Sequence, residues 1–413
     1  MNYFKAHQRI LVFIVLSFYI FTTAAESTAV SGDLTAPAPE LLCRSAVLYD
    51  LTTGKLLYEK NADEVTPPAS MTKLMSLHLA YQAINAGKIG KYDLVPITAA
   101  ASFKNSPPHS SLMFLEEGQK VTLLDIMIGL ALPSGNDAGI ALAQAITGDM
   151  ASFVEAMNLE CDRFGLTETS FVDSFGYSEF NQTTARDFAR FCVIYLTEHP
   201  EALEELHSLT EYTYPREENI PPGKTSTHGP ITQYNHNSLV GRYKGTDGLK
   251  TGFIDESGFN IALTTERDGR RLLAVLMGGP GKNSSDGNLS RAIDSTELMT
   301  WGFSAFTVVH PQLPALPDGR VWKGAEDYVK LSVAEPPVLT LPRWEAAGLK
   351  YEVELDTLLI APVAAGTRAG SLICRNIFDE IIFKLKIQTE VELPEGSTFS
   401  RLRDSISMFF LRG

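Results

Sequence analysis

The sequence predicts an α+β protein. The expected architecture is an antiparallel sheet flanked by helices, with a mainly helical body inserted between its strands, followed by a small all-β domain and a C-terminal amphipathic helix. Three observations carry this. Strand-like runs occur near residue 45 and again between residues 248 and 277, helical periodicity fills the interval, and beyond about residue 311 alternation and turns replace it. At 413 residues the chain is also longer than a single core usually serves.

The first element is a targeting segment. Lys5 and Arg9 precede an apolar run over 10–21, and Thr22-Thr23-Ala24-Ala25 then leads into Glu26. That layout predicts a signal peptide over 1–25, because the run falls short of the ~20 residues a bilayer crossing needs. Residues 26–41 follow as a mature N-terminal segment. Strands are expected over 45–50 and 55–59, joined by a turn at 51–54.

After Pro67-Pro68 a helical stripe of Met71, Leu74, Leu77, Tyr81 and Ile84 begins. His78 lies on it and reads as a core histidine rather than a catalytic one. Further helices are expected over 123–132, 137–146, 150–164 and 186–196, and strands over 248–254, 259–265 and 271–277. Residues 42–305 form the expected catalytic domain. Prolines and a glycine over 311–319 mark a linker, and 306–396 is expected to hold a β-rich domain without helices.

The last stretch, 397–413, places Phe399, Leu402, Ile406, Phe409 and Phe410 at helical spacing with arginines between them. Such a helix suits a membrane interface, the alternative being docking on the protein's own surface.

The formal charge of −14, with no basic run to override it, argues against nucleic acid as a partner. Four cysteines, Cys43, Cys161, Cys192 and Cys374, admit three disulfide pairings in an exported chain, and Cys161 and Cys192 read as buried thiols within apolar helices. No Cys/His cluster has metal-ligand spacing, so neither metal nor cofactor is expected.

Chemistry concentrates in three short words in a fixed order: Ser70-Met71-Thr72-Lys73, Ser134-Gly135-Asn136 and Lys250-Thr251-Gly252. Positions three apart on a helix are neighbours, so the Lys73 amine reaches the Ser70 hydroxyl, whose developing charge the helix N-terminus favours. Burial and the Lys250 cation should lower the Lys73 pKa enough for it to take the serine proton. Ser134 can return that proton to a leaving amine, and Asn136 can orient a substrate amide. Gly252 should let an extended peptide lie along its strand, Thr251 can bond a carboxylate, and the N–H groups of Ser70 and Phe253 are candidates for an oxyanion hole. A second Lys-Thr pair, Lys224-Thr225, sits among prolines and glycines and reads as loop.

With these words in place the chain resembles the low-molecular-mass penicillin-binding proteins of the D-alanyl-D-alanine carboxypeptidase family, within the β-lactamase/transpeptidase superfamily. The likeness extends over about residues 42–303, through Pro68 to Met75, Ser134 to Ala138, Thr184 to Asp187, Asp247 to Gly252 and Trp301-Gly302-Phe303. The β domain and amphipathic tail match the branch of the family that anchors by its C-terminus. The resemblance implies hydrolysis of the D-alanyl-D-alanine end of peptidoglycan stem peptides through a serine ester, trapping by β-lactam antibiotics, and an exported place, in the periplasm or at the outer face of the cytoplasmic membrane. It also implies that basic residues hold the substrate carboxylate. Arg291 falls where one is expected, whereas His236 stands between Asn235 and Asn237 where the family often has arginine, a substitution that introduces a titratable group. The stretch 215–232 is longer than usual in such proteins. An endopeptidase or transpeptidase of the same fold shares the acyl-enzyme. A class A β-lactamase would need a Glu-x-x-Leu-Asn loop, which is missing between Asn158 and Lys224, and a non-catalytic wall-binding scaffold would not need all three words intact.

Overall fold

The computed structural model describes residues 37–411, so the expected signal peptide lies outside the described residues. The chain divides into two compact units, one up to Val308 and one from Val309.

The first unit is built on a five-stranded antiparallel sheet in the order Lys55–Lys60, Ser45–Asp50, Arg270–Gly279, Gly258–Arg267, Thr246–Ile254. The central strand Arg270–Gly279 carries an unbroken apolar run from Leu272 to Met277 because both of its faces are covered. On the Arg270–Gly279 strand, Leu273, Val275 and Met277 pack with the inserted helices, while Leu272, Ala274 and Leu276 pack with Leu298 and Met299 on the opposite side. Successive strand residues point to opposite faces, so one run of sequence feeds two cores. Thr246–Ile254 ends the sheet, which leaves one edge of that strand unpaired by sheet neighbours.

The inserted body contains the helices Lys73–Asn85, Leu123–Ala131, Asn136–Thr147, Met150–Phe164 and Ala185–Glu198. Several begin at side chains that cap their free N–H groups. Thr122 accepts from Asp125 N, Asp149 from Ser152 N and Thr184 from Asp187 N, a contribution of about 1 kcal/mol each. Lys73–Asn85 departs from the expected single stripe, since residues from Lys73 to Tyr81 are buried on every side. A helix enclosed all round runs through the core rather than along its surface.

One long helix, Ser284–Ala305, was not expected from periodicity. Its buried positions include Gly287, Arg291, Asp294, Ser295 and Gly302 beside Leu298 and Met299, so the stripe it packs with is mostly small or polar. Gly302 sits where a β-carbon would come within 2.6 Å of Leu48. Asp294 explains its own burial by accepting the N–H groups of Leu42 and Cys43 at 3.0 and 2.8 Å.

The second unit is β-rich, as expected, with one short helix at Arg343–Ala346. Its larger sheet orders Leu331–Ser332, Ile381–Thr389, Arg368–Arg375, Lys350–Glu354, and Val321, Leu331, Leu359, Leu372 and Ile387 form its core. The terminal helix Thr398–Leu411 is tied to this unit by its polar side. Asp404 is buried, accepts Lys323 N at 2.6 Å and pairs with Arg403 at 2.9 Å, and Arg403 reaches Asp327 at 2.6 Å. The apolar side, with Phe399, Leu402, Ile406, Phe409 and Phe410, remains exposed. Among the described residues no helix is long and apolar enough to cross a membrane. All four cysteines are free and buried.

Candidate active site

Ser70 lies in a single 3-10 turn, Ala69–Thr72, that runs directly into the helix beginning at Lys73. Ala69 holds the left-handed conformation, with φ of 51°. Gly176 packs on its carbonyl so closely that a β-carbon there would fall 1.8 Å from the oxygen. Only glycine fits at that approach, and it fixes the turn that presents Ser70.

Lys73 is fully buried, and its Nζ lies within hydrogen-bond distance of three oxygens: Ser70 Oγ at 2.9 Å, Asn136 Oδ1 at 2.8 Å and the Phe175 carbonyl at 2.6 Å. Burial lowers its pKa to about 7 against the opposing charges of Asp173 and Asp137. Asn136 is oriented in turn by donating to Ser110 Oγ at 2.9 Å. The Phe175 carbonyl is aimed by its loop, in which the Asp173 carboxylate accepts the N–H groups of Phe175 and Ser178 at 2.9 and 2.7 Å.

Ser134 precedes Asn136 in a left-handed conformation, with φ of 61°. Its buried Oγ has no hydrogen-bond partner among the described residues. A backbone in that region costs a non-glycine residue on the order of 1–3 kcal/mol, and such strain gathers at working sites. The loop before it is pinned by buried Asp137, which accepts Met113 N and Leu115 N at 2.8 and 2.9 Å.

The third word enters from the edge strand. Lys250 is buried, and burial, then the charges of Lys73 and Arg291, hold it well below the ordinary ammonium range. The two buried ammonium groups repel one another, and burial, as expected, is the leading cause that lowers Lys73. Gly252 also has a steric role at the reactive turn. A β-carbon on it would point at the reactive turn, 2.5 Å from the Pro68 carbonyl, so the glycine allows strand and turn to meet. Thr251 is buried beside it, and Phe253 is half-exposed and stacks on Phe259 at 4.3 Å between ring centroids.

Arg291 is buried on the Ser284–Ala305 helix, donating to Asn260 O at 3.2 Å and Asn288 Oδ1 at 2.5 Å. Desolvation lowers it only to about 10, so it keeps its charge. His236 keeps an open surface to solvent, yet desolvation of its ring, followed by the charges of Lys250, Arg291 and Lys73, brings it down to about 4. The titratable group expected there is thus neutral through the physiological range. The long 215–230 connection joins the strands Glu211–Tyr214 and Ile231–Tyr234, with Thr227 N bonded to Glu116 at 2.7 Å.

The structure therefore gathers Ser70, Lys73 and Asn136 by direct contact, brings Gly252 against the Ser70 turn, and couples Lys250, Arg291 and His236 by charge. Sequence reasoning missed the Phe175 carbonyl, because any residue supplies a carbonyl. It also missed Asp173, Ser110 and Asp137, which act by shaping loops.

The family described as D-alanyl-D-alanine carboxypeptidase matches residues 33–281, and the C-terminal domain of penicillin-binding protein 5 matches residues 315–395. The chain is 33% identical to the D-alanyl-D-alanine carboxypeptidase DacC of Escherichia coli over 93% of its own length and 92% of that protein's. It is 32% identical to DacD of the same organism over 95% and 97%. Penicillin-binding protein 5 from Haemophilus influenzae superimposes with a TM-score of 0.68 and 29% identity, covering 87% of this chain and all of that one. Matches of that extent over both units place the chain in the D-alanyl-D-alanine carboxypeptidase family.

Proposed function

We propose that this enzyme removes the terminal D-alanine of peptidoglycan stem pentapeptides through an ester on Ser70, and that penicillin acylates the same oxygen. The observation that carries this reading is the environment of Lys73. A neutral lysine has two N–H bonds and one lone pair. Asn136 Oδ1 and the Phe175 carbonyl can only accept, so they take both N–H bonds and leave the lone pair for the Ser70 proton.

Ser70 Oγ then attacks the carbonyl of the penultimate D-alanine as its proton passes to Lys73 Nζ. The resulting oxyanion lies with the N–H groups of Ser70 and Phe253. When the C–N bond breaks, the Lys73 proton passes through the Ser134 hydroxyl to the leaving amine, restoring neutral Lys73. Water repeats the attack on the ester and releases the shortened peptide. Thr251, with the charged Arg291 guanidinium and the Lys250 amine, receives the substrate's terminal carboxylate, and neutral His236 lines the same region. The free edge of the Thr246–Ile254 strand suits an extended peptide.

Export through residues 1–25 fits a cell-wall substrate. The terminal helix, polar side docked and Phe409 and Phe410 about three-quarters exposed, suits a membrane surface.

Incubation with a pentapeptide ending in D-alanyl-D-alanine, and separately with a cross-linked muropeptide dimer, tests the proposal. Free D-alanine from the first substrate, lost in Ser70→Ala, is expected. Cleavage of the dimer alone would make the protein an endopeptidase, and cleavage of neither would make it a scaffold.

A further inference from the structure

The helix that starts at Lys73 carries a second polar cluster farther along, at His78. This side chain is wholly buried. Its Nε2 lies 3.1 Å from Glu160 Oε2, and its Nδ1 lies 2.9 Å from Nε2 of buried His199. Glu198, on the neighbouring Ala185–Glu198 helix, places Oε2 3.9 Å from His78 Nδ1. One ligand atom from each of His78, Glu198 and His199 falls within 4.8 Å of the others. The cluster escapes a search by spacing because His78 is far in sequence from the other two.

Read only as a structural hydrogen-bond chain, the cluster is incomplete. Glu160 Oε2 also accepts from Gln82 Nε2 at 3.0 Å and pairs with Arg163 at 2.6 Å, so it takes the proton on His78 Nε2 and leaves Nδ1 as a lone pair. His199 then donates from Nε2, and its buried Nδ1 is left without a hydrogen-bond partner among the described residues. An unmet polar atom in an enclosed ring calls for an explanation. Two carboxylates against one guanidinium, Arg163, also leave this locality net negative.

We propose that His78 Nδ1, His199 Nε2 and Glu198 Oε2 form a binding site for a divalent transition-metal ion, with Zn²⁺ the best match. Two imidazoles and one carboxylate are a recurring zinc set, in which solvent takes the fourth position. The Glu160–His78 contact supplies the carboxylate that orients a ligating histidine through its other ring nitrogen. On binding, the His199 proton moves from Nε2 to the unpartnered Nδ1, so neither imidazole has to lose or gain a charge. The two ring nitrogens must part slightly, since ligands at ~2.0–2.1 Å from a tetrahedral ion stand about 3.3 Å from each other. Glu160, Glu198 and His199 line a cleft of about 760 Å³ together with Leu79, Ile146 and Leu159, and an ion would enter from that side to reach buried His78. The ion would join the reactive-serine helix to the Ala185–Glu198 helix.

The test titrates the full chain, stripped with chelator, first with Co²⁺ and then with Zn²⁺. One equivalent of Co²⁺ should give the visible d–d bands of a four- or five-coordinate site, and Zn²⁺ should displace it and raise the thermal midpoint. Glu198→Gln alters an exposed side chain and should weaken Zn²⁺ binding by about tenfold or more, and His199→Gln should abolish the Co²⁺ bands. Labelling of both variants by fluorescent penicillin checks that they are folded, and Glu198→Gln carries the test alone if His199→Gln is not. Absence of saturable binding, or saturable binding that Glu198→Gln leaves unchanged, would overturn the assignment.

Discussion

Gly252 and Pro68 meet so closely that a β-carbon at position 252 would lie 2.5 Å from the Pro68 carbonyl oxygen and 3.1 Å from the Ser70 nitrogen. The third catalytic word thus sets the distance between the edge strand and the reactive turn. Gly252→Ala should push them apart, slowing acylation by labelled penicillin at least tenfold, since displacement by about an ångström can cost 10²-fold in rate. Overpacking of this kind costs typically 1–3 kcal/mol, which thermal unfolding would register as a modest loss. Unchanged acylation in Gly252→Ala would mean that the strand has slack at this point.

Lys73 sets the expected pH dependence. Its pKa is lowered to about 7, and its neutral form is the base, so acylation should rise with pH and reach half its plateau near 7. His236, at about 4, should add no inflection above pH 5. Lys73→Arg keeps a cation that cannot deprotonate and should cost roughly 10²–10⁴-fold in acylation at every pH. Stopped-flow acylation across the pH range would show a flat profile if Lys73 did not titrate.

Asn136 offers a sharper version of the same test. Its Oδ1 accepts from Lys73 Nζ at 2.8 Å, so Asn136→Asp would set a carboxylate beside the amine and favour its protonated form. The acylation midpoint should move to higher pH by about one unit or more, with the plateau less affected than the rate at pH 7. A midpoint that stays in place would assign it to another group.

Much of this arrangement was legible in the sequence, for reasons that differ from element to element. The strand runs and most helices announced themselves through the spacing of their apolar residues. Lys73 and Ser70 were found because their contact is local to one helical turn. The Ser284–Ala305 helix was hidden because its packed face is built from Gly287, Ser295 and Gly302, which carry no hydrophobic period. The Phe175 carbonyl was hidden because its role belongs to the backbone, and the close approach of Gly252 to Pro68 was hidden because the two are far apart in sequence. The His78 cluster depended on contacts across more than a hundred residues, which spacing does not encode.

The terminal helix has one docked side and one exposed side. Asp404 and Arg403 hold its polar side to the β unit, while Phe399, Leu402, Ile406, Phe409 and Phe410 stay exposed. Deleting residues 397–413 should leave penicillin acylation unchanged and abolish co-sedimentation with phospholipid vesicles. A truncated protein that still sediments with vesicles would place the membrane contact elsewhere.

The central claim is that segments far apart in the chain converge on one oxygen. Mass spectrometry of the intact protein after brief penicillin treatment, followed by peptide mapping, addresses it directly. The account predicts a single adduct on the peptide containing Ser70, lost in Ser70→Ala and formed far more slowly in Lys73→Arg. An adduct at another residue, or none in a folded protein, would contradict it.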